Sequence, residues 1–128
     1  MHLATNTLPT KLDVPGVSVR HLPDFGVADA PLAAEHLTLA AGTDIAPLLK
    51  GLPGDACQSV HWGYIQRGTA VVTYTDGASE RCSTGDVFYW PAGHSVRIEE
   101  DADIVMFSPA DAHGRVLDHL GAQLASMG

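Results

Sequence analysis

From Cys57 onward, turn residues cut the chain at short intervals into β-prone runs, and this cadence limits the fold more than any other feature. Residues 59–66 are rich in aromatic and β-branched types, and Thr69–Thr75 (TAVVTYT) has the strongest strand character in the chain. Arg67-Gly68 reads as a turn between the two. Asp76-Gly77 is a hairpin signal, with Ala78–Cys82 as the returning strand. Gly85-Asp86 turns into Val87–Trp90, and Pro91-Ala92-Gly93 turns into Ser95–Ile98. Glu99–Asp103 reads as a solvated acidic loop, and Ile104–Phe107 as the last strand. Short strands separated by turn signals predict an all-β sandwich or barrel.

The first half is less patterned. Val17–Arg20 is a candidate strand. Leu32–Ala40 is read as another, because Leu37 and Leu39 alternate with His36 and Thr38. Pro47, Gly51, Pro53 and Gly54 make Ala46–Ala56 a loop. At the other end, Ser108-Pro109-Ala110-Asp111 has the composition of a helix start, with Ser as N-cap and Pro at the first helical position. Val116, Leu117, Leu120, Leu124 and Met127 then recur at helical spacing. The expected organisation is a loose arm over 1–16, a β-domain over 17–107 and a helix over 108–128, packed on the barrel or on a partner.

Composition excludes several functions. The chain has 128 residues, of which 45% are hydrophobic, which suits one domain with a modest core. Its net charge of −8 repels nucleic acid and anionic membranes. No apolar run approaches the roughly 18 residues of a membrane-spanning helix. The first residues do not read as a secretory signal, so a cytoplasmic location and reduced Cys57 and Cys82 are expected. No Gly-rich nucleotide cradle and no G-x-S-x-G elbow occurs.

Side chains alternate across a strand, so Cys57 and His61, four apart, face the same way if both are in strand. Ser59, Gly63 and Ile65 share that face, and Gly63 leaves space beside the imidazole. A thiol and an imidazole beside such a space resemble two soft ligands in a cavity. The plain alternative is a small buried Cys and a His tied to a backbone carbonyl. Trp62 and Tyr64 face the other side, where such aromatics call for cover by the C-terminal helix or a second subunit.

At this point the chain resembles the cupin superfamily. Asp55-x-Cys57-x3-His61-x6-Gly68 has the spacing of the first cupin motif, G-x5-H-x-H-x3,4-E-x6-G. Gly85-x5-Pro91-x-Gly93 matches the start of the second, G-x5-P-x-G-x2-H-x3-N. HWGYIQRG and GDVFYWPAGH are also similar to stretches of small single-domain bacterial cupins. The resemblance runs from about Leu32 to Phe107. It implies a double-stranded β-helix, a small antiparallel barrel or jelly roll, with a C-terminal α-helix, and it implies a homodimer.

The ligand positions depart from the cupin pattern. Asp55, Cys57 and His61 stand where the first motif has His, His and Glu, and Val96 stands at the second-motif histidine. His94, which shares strand parity with Val96, is the nearest replacement and would lie nearer the rim. The resemblance therefore implies a Cys57/His61/His94 metal site. Thiolate plus imidazole favours zinc, then copper or iron; under the plain alternative there is no metal. Residues expected around the pocket are His36, Ser59, Gly63, Ile65, Val72, Tyr74, Val96 and Met106. His2, His21, His113 and His119 are read as surface residues.

Two functions follow from this reading. One is a metal-dependent enzyme performing oxygenation, isomerisation or lyase chemistry on a small molecule. The other is a ligand-binding or sensing module without turnover. An open three-ligand site would favour the first and a closed four-ligand site the second. Redox sensing by Cys57 ranks last, because a reactive thiol should be accessible.

Overall fold

The computed structural model describes residues 1–26 and 29–127. Among them, seven strands precede one helix: β1 Thr10–Val14, β2 Val17–Leu22, β3 Leu32–Leu39, β4 His61–Tyr74, β5 Ser79–Ser83, β6 Val87–Trp90, β7 His94–Pro109 and α1 Ala110–Met127. All strand pairs are antiparallel, in the order β1-β2-β3-β7-β4-β5, with β6 on β4.

Two long strands shape this sheet into a jelly roll. The second half of β7 lies between β3 and the first half of β4, from Leu32↔Pro109 and Trp62↔Phe107 onward. The first half of β7 pairs with the second half of β4, through Val72↔Val96 and Tyr74↔His94. The register shifts between Ile65 and Ala70. An extra residue in one strand reverses which side chains face inward. His61 and Ile65 are buried before the shift, and Ala70 and Val72 after it. Gly68, at φ 90°, occupies the kink; a Cβ there would sit 2.1 Å from the carbonyl oxygen of Asp101.

This geometry corrects four expectations. Arg67-Gly68 is a bulge within one continuous strand, not a turn between two. The acidic stretch 99–103 is strand, held by ion pairs from Arg81 and Arg97 to Glu99 and from Arg67 to Asp103. Residues 1–16 are not all loose, because Leu8 is buried and β1 pairs with β2. The helix begins at Ala110, and Ser108 is the buried end of β7 rather than an N-cap.

The loop before β4 contains 3-10 turns at Ala46–Leu49 and Pro53–Asp55 and runs along the free edge of β7. The amides of Ile45 and Cys57 donate to the carbonyls of Val96 and His94, at 3.1 and 2.8 Å. Helix α1 packs Val116, Leu117 and Leu120 against Leu48, Leu49 and Val19. Met127, expected on the same face, is exposed. The barrel's own core, with Ile65, Val72, Ile98 and Ile104, lies between the sheet halves.

Candidate metal centre

The loop along β7 and the start of β4 bring Cys57, His61 and His94 together. Cys57 reaches its place through an isolated bridge to His94, so it shares a face with His61 although residues 58–60 are not strand. Its Sγ lies 3.4 Å from His61 Nε2. The Cys57, His61 and His94 side chains each offer a donor atom, and these lie within 4.8 Å of one another. All three residues are buried, and His94, expected near the rim, is 1% exposed.

The remote nitrogens of these imidazoles are anchored. His94 Nδ1–H donates to the Pro91 carbonyl at 2.7 Å, which leaves Nε2 with its lone pair free. His61 Nδ1 lies 2.5 Å from Ser108 Oγ, a hydroxyl able to accept or donate as the tautomer requires. Such partners fix ring orientation in metal sites. The donor set of one thiol and two oriented imidazoles fits zinc, copper or iron better than magnesium or calcium.

Burial alone would push the Cys57 thiol up. The imidazoles of His113, His61 and His94 gathered around it outweigh burial and bring the thiol down to about 4, into the thiolate form that binds metals. Burial also holds His61 below the usual imidazole value.

A second buried group adjoins the first. His113 Nε2 lies 2.6 Å and His21 Nδ1 3.0 Å from the same oxygen of Glu35. Although burial opposes ionisation of Glu35, His113 and His21 hold its carboxyl at about 2. Burial likewise opposes the charge on His113, but Glu35 and Cys57 raise it to about 9. The His113 ring centroid is 4.6 Å from that of His61. Glu35 Oε1 and His113 Nδ1 are buried without a hydrogen-bond partner.

These findings correct the reading of His21 and His113 as surface residues, and Glu35 was not anticipated. The signals were present. Parity with Leu37 and Leu39 turns Glu35 inward and His36 outward. Helical spacing puts His113 on the face of Val116, Leu117 and Leu120. Parity with Val19 turns His21 inward.

Both groups open on a cavity of about 70 Å³, room for several waters or a molecule of a few heavy atoms. Its walls are apolar and come from the barrel (Val17, Leu39, Met106) and from α1 (Val116, Leu120, Leu124). Of the expected pocket residues, Val96 and Met106 line it. His36 instead faces outward, with Nε2 donating to Gln66 Oε1 at 3.0 Å. Ile65 and Val72 are in the barrel core, and Tyr74 packs on that core from its edge. Ser59 is buried with its hydroxyl on the Val60 carbonyl. The space beside Gly63 is filled by the Phe88 ring.

No protein-family model matches the chain, and no curated protein sequence does. Solved structures do. Ectoine synthase from P. lautus is 13% identical with a TM-score of 0.60, over 86% of this chain and 78% of that one. The polyketide cyclase RemF from Streptomyces resistomycificus is 14% identical with a TM-score of 0.57, over 87% and 80%. A mutant of Bacillus subtilis oxalate decarboxylase OxdC is 21% identical with a TM-score of 0.57; the match covers 84% of this chain and 29% of the decarboxylase. The antiparallel jelly roll shared with these proteins is the cupin fold, and this chain has it.

Proposed function

We propose that this protein holds a divalent transition metal, zinc ahead of copper or iron, on Cys57, His61 and His94. The metal would sit at the wall of the apolar cavity, where a small, largely apolar molecule binds. The carrying observation is the buried cluster itself: a thiol and two imidazoles offering donor atoms within 4.8 Å of one another. Anchoring of His94 by Pro91 and of His61 by Ser108 adds to it.

When bound, the metal would polarise a donor group of the ligand. The protein's own contribution is to orient the ligating side chains, exclude water and supply the apolar surface. Glu35 Oε1, a buried acceptor without a partner, suits a ligand carrying one hydrogen-bond donor.

Metal analysis of untagged protein tests this reading. One equivalent is expected in the parent protein, with loss in Cys57→Ala and His61→Ala variants that keep their β-rich circular dichroism. Metal content unchanged by both substitutions would refute it.

A further inference from the structure

His113 is the buried polar group that the three-residue centre leaves unexplained. It lies in the first turns of α1 and is 4% exposed. Its Nε2–H donates to Glu35 Oε2 at 2.6 Å, and His21 holds that same oxygen from the other side at 3.0 Å. Its ring lies 4.6 Å from that of His61, centroid to centroid, and closer than the 5.1 Å separating His61 from His94. Nδ1, the ring's other nitrogen, is buried and has no hydrogen-bond partner.

A buried nitrogen without a partner costs free energy unless something binds it. An imidazole with a carboxylate on one nitrogen and a metal on the other is the usual way a ligating histidine is oriented. We propose that His113 Nδ1 is the fourth protein ligand of the Cys57–His61–His94 centre, with Glu35 and His21 as its positioning residues. The proposal rests on the metal reading above and fills the coordination position at which a donor group of the ligand would otherwise be polarised. The donor set becomes one thiolate and three imidazoles, a closed set of the kind found in structural or ligand-sensing sites. The fourth ligand comes from the helix that covers the cavity, so metal and helix are tied to each other. A molecule entering the cavity would meet both.

X-ray absorption on the zinc-loaded full chain tests the proposal without any variant. One sulfur and three imidazoles are expected. In His113→Gln the imidazole count should fall by one and zinc should bind more weakly. Glu35→Gln should keep the count and weaken zinc by roughly 10–100-fold, the usual effect of removing an outer-shell partner. One sulfur with two imidazoles, unchanged in His113→Gln, would overturn the fourth ligand and leave the three-residue centre standing. A sulfur-free centre, on His21, Glu35 and His113 for instance, would overturn both readings. So would parent protein that takes up no metal.

Discussion

A methyl group at position 63 has nowhere to go. It would lie 2.4 Å from Phe88 Cζ and 2.4 Å from the carbonyl oxygen of Val105, and the second of these is backbone that cannot swing aside. Gly63→Ala should therefore destabilise the protein by about 1–3 kcal/mol, the usual cost of overpacking. Gly114→Ala is the contrasting change. Nothing lies within 4 Å of its Cβ position, and the helical backbone gains up to about 1 kcal/mol from alanine. Urea midpoints moving in opposite directions would bear this out; a neutral Gly63→Ala would mean that β4 and Phe88 can separate. Position 63 also marks the limit of strand parity as a guide. Parity turns Gly63 inward, beside His61, but cannot tell an empty space from one filled by a ring arriving from β6. The same limit explains which site residues were legible. Cys57 and His61 are near neighbours in sequence, and His94 follows a turn of recognisable spacing. Glu35 and His113 are 78 residues apart, and only the three-dimensional packing of α1 on β3 makes them partners.

Among the elements, α1 gives the cavity its outer wall. Leu117 is 2% exposed and packs with Val116 and Leu120 on the 3-10 turn Ala46–Leu49 and on Val19. Leu117→Ala should cost about 2–5 kcal/mol, as removal of a buried leucine side chain does when its surroundings close only partly. Met127→Ala, at an exposed position, should leave the denaturation midpoint where it was. Equal midpoints for the two variants would show that the helix contributes little to stability. Most elements were legible because their signals are local. Val87–Trp90 lies between two turn signals, and the stripe from Val116 to Leu120 has helical period. The misjudged boundaries are those where long-range pairing decides. Arg67-Gly68 has the composition of a turn, yet β4 has β7 alongside it on both sides of that point, and the chain continues as strand with a bulge. Glu99–Asp103 looks like a solvated loop, yet its backbone is held in the ladder while its carboxylates meet arginines at the surface.

For the molecule as a whole, one large feature is unaccounted for within a single chain. Trp62, Tyr64, Val87 and Tyr89 are 47%, 43%, 81% and 50% exposed. They are neighbours across one strand pair, Trp62 opposite Tyr89 and Tyr64 opposite Val87, so they form one continuous apolar face. Helix α1, expected as a cover for Trp62 and Tyr64, packs instead on Val19 and the 3-10 turn Ala46–Leu49. A patch of this kind marks an interaction surface more often than a solvated one. We expect a second copy of the chain to cover it, face to face, giving the homodimer anticipated from the sequence. The net charge of −8 on each copy opposes their approach, so added salt should strengthen association by screening, while the contact itself is apolar. Sedimentation equilibrium should give twice the chain mass for the parent protein. Trp62→Glu or Tyr89→Glu should give the single-chain mass with metal content unchanged, because neither side chain lines the cavity or contributes to the donor set. A parent protein that stays monomeric at high concentration and moderate salt would rule out the second copy as the occupant of this face.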